Sequence, residues 1–347
     1  MTKFVVVGSG IVGLYTTYSL LDKNVPARDV TIIAQHFPGD ESIDYTSPFA
    51  GGNFSCITGD DIQTLKFDKF SYLNLHKIQE KLGGPQCGLD NCYSTEYFEK
   101  RPSEQKLRSL RSYLKEYREI NEAALPQGAV FGIHFKTWNF NSPKFLSSLF
   151  NYLREKGVTV KQHKLLNISE AFFPDTRIAF NCTGLGARSL GGVEDPSVYP
   201  LRGQVLVIKA PYINENVLFW GSDYATYAIK RPFSNDQLVL GGFMQKNNWT
   251  ADTFKSENDD ILARTTKIFP EILTSNPRGN NLEDLEIVRS VAGLRPSRHG
   301  NVRIQKVKVD DKKFLVHNYG ASGYGFQSGL GMAEEAVNLV LEASPKL

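Results

Sequence analysis

The chain has 347 residues, of which 41% are hydrophobic, which is enough for one large domain or two interleaved domains. Its 40 basic and 37 acidic residues nearly balance, so the net charge of +3 gives no argument for a nucleic-acid or membrane-surface partner. The four cysteines complete no zinc-binding pattern and predict free thiols in a reducing compartment. No apolar stretch approaches the ~18 residues that a membrane-spanning helix needs, and the N-terminus does not resemble a signal peptide.

The N-terminal region predicts a βαβ unit. Four apolar residues, Phe4–Val7, indicate a short buried strand, and residues 30–34 indicate a second one after an intervening helix. Because both runs are apolar throughout, a parallel sheet is implied. The turn after the first strand fits the pattern G-x-G-x-x-G, and its residues are Gly8, Ser9, Gly10, Ile11, Val12 and Gly13.

This hexapeptide, placed between a strand and a helix, predicts a dinucleotide-binding site. The first glycine permits the tight turn, the second lets a pyrophosphate approach the backbone, and the third lets the helix pack on the strand. The motif does not separate NAD from FAD. Where an acidic residue usually binds a ribose, the chain has Gln35 followed by His36, and an amide binds a hydroxyl more weakly than a carboxylate does.

The loop at 44–56 follows the second strand. Thr46 and Ser47 offer hydroxyl groups, and Gly51 and Gly52 allow close approach of the backbone to a ligand. An ordinary polar loop accounts for the same composition equally well.

Two helices are predicted in the middle of the chain. Residues 101–118 carry leucines at helical spacing and indicate an amphipathic helix with a solvated basic face. Residues 141–157 indicate a helix with Ser142 as its N-cap and Pro143 at its first position. A further buried strand is expected at 178–184.

The character of the sequence changes between about residue 199 and residue 317. Short alternating runs predict an antiparallel sheet and suggest a second domain. The runs are GQVLVIKA, YATYAIK, QLVLGGF, VRIQKV and KFLVHNYG. The chain then returns to a helix. The two kinds of structure therefore interleave along the sequence.

Arg295 is the cation most indicative of a ligand. It lies among apolar residues before a proline, and a buried guanidinium needs an anionic partner. That partner is either a substrate carboxylate, which a guanidinium binds with two parallel hydrogen bonds, or an internal acid. Because no Ser-His-Asp, H-E-x-x-H or carboxylate-pair pattern is present, the chemistry is expected to belong to a cofactor.

Several of these segments, in this order, resemble those of D-amino-acid oxidases, and most closely the yeast enzymes. The resemblance covers about residues 4 to 341 and rests on GSGIVGLYTTYSLL, YTSPFAGGNFS, FNCTGLGARSLGGV, YPLRGQV, GGFMQKNNW, AGLRPSR and HNYGASGYGFQSG. It implies non-covalent FAD and oxidation of neutral D-amino acids to imino acids, which hydrolyse to 2-oxo acids and ammonia while O₂ becomes H₂O₂. The implied fold is α/β with two domains: a Rossmann-like FAD-binding domain with a parallel sheet (1–58, 142–190 and 288–347) interleaved with an antiparallel-sheet substrate domain (59–141 and 191–287).

The resemblance also implies roles for individual residues. Arg295 and Tyr227 would bind the substrate carboxylate, and the Gly323 carbonyl would accept from the substrate amine. Tyr224 would correspond to a lid tyrosine, and Met244 and Phe54 would line the pocket. The further residues expected at the cofactor are Asn53, Leu165, Thr183, Ser322, Gly323, Tyr324, Gly325, Phe326 and Gln327.

Such an arrangement would direct the substrate α-hydrogen at flavin N5, so that hydride transfer follows from orientation without an acid or base residue. The glycines near residue 323 would let the backbone run along the flavin, with the last helix directing its positive end at the reduced cofactor. D-aspartate oxidase is an alternative that Lys230 keeps open, and an NAD-dependent dehydrogenase or a non-catalytic flavin-binding protein is a more distant one. The C-terminal Pro345-Lys346-Leu347 is one residue from a peroxisomal address, which implies an import receptor as a partner and the peroxisomal matrix as the location. A homodimer is a further hypothesis.

Overall fold

The computed structural model describes residues 3–222 and 224–341. In chain order their strands and α-helices are β1 (Phe4–Val7), α1 (Ile11–Asp22), β2 (Val30–Ala34), α2 (Ile62–Lys81), β3 (Leu89–Phe98), α3 (Glu104–Arg111), β4 (Lys115–Glu119), β5 (Phe131–Phe140), α4 (Ser142–Glu155), β6 (Thr159–Gln162), β7 (Ile178–Asn181), β8 (Val198–Lys209), β9 (Glu215–Trp220), β10 (Ala225–Lys230), β11 (Gln237–Gly241), β12 (Gln245–Lys246), α5 (Lys255–Ile268), α6 (Glu271–Thr274), β13 (Glu286–Arg298), β14 (Arg303–Lys308), β15 (Phe314–Tyr319) and α7 (Gly325–Leu341). The C-terminal tripeptide lies outside the described residues.

The chain folds into two compact units, each built from separate segments. Unit 1 comprises Met1–Pro48, Leu146–Leu201 and Leu294–Leu347, and unit 2 comprises Phe49–Phe145 and Arg202–Gly293. Counted by the last residue before each boundary, the domains drawn from the sequence alone divide at 58, 141, 190 and 287, whereas the units divide at 48, 145, 201 and 293.

Unit 1 contains a six-stranded sheet in the order β14-β15-β7-β1-β2-β6. The strands from β15 to β6 are parallel, and β14 pairs antiparallel to β15 at one edge. All five residues of β2 are buried, as expected for a strand covered on both faces. Helix α7 packs against α1, where the Tyr15 hydroxyl donates to the Phe326 carbonyl oxygen at 3.2 Å. The mixed α/β fold and the N-terminal βαβ unit are confirmed.

Unit 2 contains most of a second sheet, in the order β12-β8-β11-β10-β9-β3-β5-β4, with β13 paired to β8. The pairs β10–β11, β9–β10, β8–β11, β3–β5 and β4–β5 are antiparallel, and the pair β3–β9 is parallel. Helices α5 and α6 contribute Ile261, Leu262 and Ile272 to a core formed with residues of β8, β10 and β11. The alternating pattern of 199–241 therefore reflects a sheet with one face on this core.

Three local predictions differ from the structure. The runs at 302–307 and 313–320 form β14 and β15, which belong to the sheet of unit 1, because an alternating pattern predicts a strand but not its partner. The helix expected over 101–118 ends at Arg111, and Tyr117 lies on β4, which pairs with β5. The sheet partner thus overrides the helical spacing of the second half.

The third difference is the N-cap of α4. The Asn141 carbonyl oxygen accepts from the Phe145 amide at 2.8 Å, and its side-chain oxygen accepts from the Lys144 amide at 3.4 Å. Asn141 therefore caps the helix. Ser142, predicted as the cap, instead donates its hydroxyl to the Ala50 carbonyl oxygen at 2.9 Å.

The prediction of free thiols is confirmed, since all four cysteines are unpaired. Among the described residues, no helix is both long enough and apolar enough to cross a bilayer. Those same residues include no cluster of three or more potential metal ligands.

Candidate active site

The predicted cofactor residues of unit 1 follow the carboxyl ends of its parallel strands. Gly8 comes after β1, Gln35 after β2, Leu165 shortly after β6, Thr183 after β7 and Gly320 after β15. In open sheets of this type, ligands bind at this edge, next to the central strand where the chain reverses direction. Since β1 is paired with β2 on one side and β7 on the other, it is the strand at which that reversal occurs.

Two of the three fingerprint glycines, Gly8 and Gly13, are required by close contacts within unit 1. A Cβ on Gly8, whose φ is +109°, would lie 2.5 Å from the Cys182 carbonyl oxygen. A Cβ on Gly13 would lie 2.0 Å from the Gly8 carbonyl oxygen, so only glycine lets α1 start this close to β1. Gly10 caps α1 without a side-chain hydrogen bond, and no acidic residue occupies the first turn. The positive end of α1 is thus suited to an anion.

Hydroxyl groups surround this helix start. The Ile11 amide donates to Ser47 Oγ at 3.0 Å, so Ser47 can donate its own hydrogen to a phosphate oxygen. The Tyr45 hydroxyl donates to the Ser9 carbonyl oxygen at 2.9 Å. Thr46 Oγ1 donates to the Leu294 carbonyl oxygen, which fixes that residue to the backbone beside Arg295.

The end of β2 presents His36 as a ribose-binding candidate. The side chain of Gln35 is exposed, and its carbonyl oxygen accepts from Gln162 Nε2 at 3.2 Å. His36 Nδ1 lies 3.6 Å from the Asp40 carboxylate, and its ring stacks on Tyr45 with 6.2 Å between centroids. His36 Nε2 is buried and has no hydrogen-bond partner among the described residues. An orphaned ring nitrogen at the position of the usual acidic residue fits a ribose hydroxyl.

A polar relay orients Thr183 at the end of β7. The amide and hydroxyl of Thr183 both donate to Asn181 Oδ1, at 3.2 and 2.7 Å. Asn181 Nδ2 lies 3.3 Å from His317 Nδ1, and burial, with the charge of Arg303, lowers the pKa of His317 to about 4. His317 is therefore neutral at pH 7 and can accept from the Asn181 amide, which leaves the Thr183 oxygen as an acceptor for a ligand N–H.

Arg295 and Gly323, two predicted substrate residues, lie side by side. A Cβ on Gly323 would lie 3.2 Å from Arg295 Cδ and 3.5 Å from its Nε, while Gly323 itself is exposed. The guanidinium stem therefore passes next to an exposed stretch of backbone. This arrangement combines a cation for a carboxylate with a nearby carbonyl for an amine.

The glycine-rich segment around Gly323 forms a short 3₁₀ turn, Ser322–Tyr324, before α7 begins at Gly325. Ser322 Oγ lies 2.7 Å from Ser297 Oγ, which ties the turn to the end of β13. Gly320 has a φ of +92°, and a Cβ there would lie 2.9 Å from Arg298 Cβ. Phe326 and Gln327 are buried on the first turn of α7. Neighbouring protein atoms are thus enough to require glycine at position 320.

In unit 2, Tyr227 is held against a glycine platform. Its hydroxyl oxygen lies 2.5 Å from the Cβ positions that side chains on Gly241 and Gly242 would occupy. Its ring also lies 3.7 Å from a Cβ on Gly51, a residue predicted for cofactor approach. Tyr227 is 7% exposed and lies on β10, opposite Gly241 of β11. Glycines on the neighbouring backbone therefore set the orientation of this phenol.

Tyr224 and Met244 are both accessible. Tyr224 is 40% exposed near the end of the β9–β10 hairpin, and its ring stacks on Phe219 with 6.1 Å between centroids and 4° between planes. Met244 is 37% exposed and follows β11. Exposed apolar side chains at these positions fit a substrate surface.

Phe54 differs from the prediction. Its side chain is fully buried, 5.2 Å from the Tyr72 ring and 6.3 Å from the Tyr113 ring by centroid distance. Such a ring belongs to the core of unit 2 and does not line an open pocket. Gly52 and Asn53 are likewise part of the sheet region: a Cβ on Gly52 would lie 2.4 Å from the Phe140 carbonyl oxygen, and Asn53 bridges to Asn139.

The parallel sheet, the fingerprint turn and the residues at its carboxyl edge define a dinucleotide-binding protein. A profile of the family described as FAD dependent oxidoreductase (DAO) matches residues 3–339, and the chain belongs to this family. The cofactor is therefore FAD, which the glycine turn, the Ser47 hydroxyl and the orphaned His36 nitrogen fit.

The chain is similar to named proteins over nearly its whole length. It is 38% identical over 340 residues to a D-amino-acid oxidase of Schizosaccharomyces pombe, covering 97% of this chain and 95% of that protein. It is 26% identical over 365 residues to a D-aspartate oxidase of Talaromyces thermophilus, with coverages of 98% and 95%. A glycine oxidase structure from Geobacillus kaustophilus has a TM-score of 0.75 at 14% identity, with coverages of 99% and 96%, which shows the fold alone. The resemblance inferred from the sequence motifs is confirmed.

Proposed function

We propose that this chain is a D-amino-acid oxidase for neutral substrates. The reaction converts a D-amino acid, O₂ and water into a 2-oxo acid, ammonia and H₂O₂. The observation that carries the proposal is Arg295 beside the exposed Gly323, because these two residues match the two polar groups of an α-amino acid. Similarity to the S. pombe D-amino-acid oxidase supports the same conclusion.

In this proposal the chain's own residues orient the amino-acid substrate. Arg295 binds the substrate carboxylate, and the Gly323 carbonyl oxygen accepts from the amine; the role of Tyr227 as a carboxylate ligand stays a prediction from the resemblance. FAD, when bound, supplies the hydride acceptor. When the carboxylate and the amine are both fixed, the α-hydrogens of the D- and L-isomers point in different directions. The site therefore selects the enantiomer whose α-hydrogen faces the cofactor. No acid or base residue is needed if the amine binds in its neutral form.

The test is oxidase turnover of the purified protein across a panel of D- and L-amino acids, followed as H₂O₂ release. We expect turnover of neutral D-amino acids and none of their L-isomers. Arg295→Ala should keep its yellow flavin absorbance and raise KM at least about a hundredfold, because a carboxylate loses its charged partner. Arg278→Ala, which removes an exposed ion pair with Glu286, is the matched control and should leave KM unchanged. Unchanged KM in Arg295→Ala would remove Arg295 as the carboxylate ligand.

The alternative substrate is D-aspartate, which the T. thermophilus relative brings into consideration. It requires a second cation for the side-chain carboxylate. Lys230, the candidate from the sequence, donates to Asn214 Oδ1 at 2.6 Å, and the exposed Met244 offers an apolar surface instead. We therefore expect D-alanine and D-methionine to be oxidised faster than D-aspartate, and the opposite order of initial rates would establish the alternative.

We also propose that the protein works in the peroxisomal matrix, delivered by an import receptor that reads Pro345-Lys346-Leu347. The release of H₂O₂ supports such a location. A fluorescent fusion carrying the natural C-terminus should co-localise with a peroxisomal marker, and a fusion lacking the last three residues should not. Identical distributions would refute this proposal. Size-exclusion chromatography would test the expected homodimer.

A further inference from the structure

Arg264, on α5, makes a set of contacts that its sequence context does not reveal. Its Nε donates to Asp260 Oδ2 at 2.8 Å, one helical turn earlier, which alone would describe a surface ion pair. However, the side chain is only 23% exposed. Nη2 also lies 2.7 Å from Asp260 Oδ2, while Nη1 and Nη2 both reach acceptors in the sheet of unit 2 as well.

The inward side of this guanidinium binds two neighbouring strand ends. Nη1 donates to the Ala225 carbonyl oxygen at 3.0 Å and to Thr226 Oγ1 at 2.6 Å. Nη2 donates to the Gly242 carbonyl oxygen at 3.2 Å, and the guanidinium carbon lies 5.3 Å from the Phe243 ring centroid. One rigid fork therefore fixes the first residues of β10 and the residue after β11.

These acceptors flank three of the proposed substrate residues. Ala225 and Thr226 separate Tyr224 from Tyr227, and Gly242 and Phe243 lead directly to Met244. The Gly242 amide also donates to the Ala225 carbonyl oxygen at 2.9 Å, so both strand ends meet at the point that Arg264 binds. The Tyr227 ring lies over Gly241 and Gly242, as described above.

We infer that Arg264 is a positioning residue of the substrate site, which sets the spacing between Tyr227 and Met244 and thereby the substrate selectivity. This inference rests on the proposed function, which assigns those two residues to the substrate. A guanidinium suits the task because its planar fork donates in several fixed directions at once. The ammonium group of a lysine is a single point of charge. It cannot donate to the three sheet acceptors and to Asp260 at the same time.

The experiment compares Arg264→Gln, Arg264→Lys and Thr226→Val with the wild type. Lys255→Gln is the matched control, since it removes an exposed ion pair with Asp259 from the same helix. Flavin absorbance reports cofactor loading, and the change in that absorbance on titration with propionate gives Kd for a simple carboxylate. Steady-state assays with D-alanine and D-methionine give KM and kcat separately.

We expect Arg264→Gln to raise KM and the propionate Kd about tenfold, while kcat per bound flavin changes less than about threefold. The ratio of kcat/KM for D-methionine to that for D-alanine should shift at least about threefold, because the spacing of Met244 changes. Arg264→Lys should recover part of the loss, and Thr226→Val should show a smaller change of the same kind. The control should stay within about twofold of the wild type.

Two outcomes would overturn the inference. One is an unchanged KM, Kd and selectivity ratio in flavin-loaded Arg264→Gln; the other is a loss of activity proportional to lost flavin, which would indicate a purely structural role. If Arg264→Gln does not accumulate, Thr226→Val decides by the same measures, since it leaves Arg264 intact. If the wild type oxidises no D-amino acid, the proposed function is refuted instead. The positioning role of Arg264 is then tested by comparing the propionate Kd of Arg264→Gln with that of the wild type.

Discussion

At the scale of single residues, His36 shows how an unusual side chain can take the place of the acidic residue that usually binds a ribose hydroxyl. Gln35 stands where a carboxylate is customary, yet its side chain is exposed, whereas the next residue has a buried nitrogen without a protein partner. Asp40 beside Nδ1 favours a hydrogen on that nitrogen and leaves Nε2 as an acceptor. The sequence indicated both Gln35 and His36 but could not decide between them, because a sequence pattern does not determine the direction of a side chain.

His36→Ala should therefore weaken FAD binding. The loss of one hydrogen bond to a buried group predicts up to about a tenfold increase in the Kd for FAD. The measurement is a titration of the apoprotein with FAD followed by tryptophan fluorescence. His76→Ala, on the exposed side of α2, is the control. Equal affinities of the two variants would show that His36 does not bind the cofactor.

Arg295 and Gly323 illustrate the other limit of sequence reasoning at this scale. Each was assigned a role by resemblance, but their adjacency depends on β13 and β15 ending near one another, which spacing along the chain does not reveal. Arg264 was missed because an arginine four residues after an aspartate on a helix is typical of a solvent-exposed pair. Asn181 and His317 had a signal, namely polar residues within otherwise apolar strands.

At the scale of elements, continuous apolar runs predicted the parallel strands well, because strands buried on both faces leave little room for polar residues. The edge strand β4 was missed since it is almost entirely exposed and reads KEYRE, with Tyr117 continuing the helical spacing of α3. The N-cap of α4 is Asn141, one residue before the predicted Ser142, whose hydroxyl instead donates to the Ala50 carbonyl oxygen. The sequence therefore predicted which helices and strands exist better than it predicted their sheet partners or their boundaries.

The contact between β1 and α1 gives a prediction at this scale. Gly13→Ala would place a Cβ 2.0 Å from a backbone oxygen, so the helix must move away from the strand. We expect a loss of about 3 kcal/mol in the free energy of unfolding, together with loss of bound FAD. Denaturant unfolding and flavin content would measure both. Gly59→Ala is the control, because its Cβ would contact only the side chains of Asp61 and Thr64; equal losses in the two variants would contradict the prediction.

At the scale of the whole molecule, a buried carboxyl group links stability to pH. Glu96 is fully buried, accepts from the Cys56 amide at 3.0 Å and from Trp220 Nε1 at 2.8 Å, and has one oxygen without a partner among the described residues. Burial raises its pKa from 4.5 to about 7, although its hydrogen bonds and Lys106 act in the opposite direction. The folded state therefore favours the protonated form.

Because the folded pKa lies above the unfolded one, the stabilisation from Glu96 is complete below about pH 4.5 and is lost as the pH rises to about 7. Its size is up to about 3 kcal/mol. Glu96→Gln, which keeps an acceptor oxygen, should gain stability relative to the wild type between pH 5 and pH 8. Urea unfolding of both proteins at the two pH values would measure this difference, and a constant difference would exclude the titration of Glu96 in this range.

The discontinuity of unit 1 has a consequence for biosynthesis. Strand β7 has β1 and β15 as its neighbours, and β15 begins at Phe314, long after β7 ends at Asn181. While the chain emerges from the ribosome, the edge of β7 that β15 will cover stays open until all of unit 2, which ends at Gly293, has been made. A nascent chain therefore exposes an unpaired strand edge from the synthesis of Asn181 until that of Phe314, which favours aggregation and chaperone binding. Flavin capture by the completed sheet then belongs to the end of synthesis, so flavin supply should govern how much newly made protein survives.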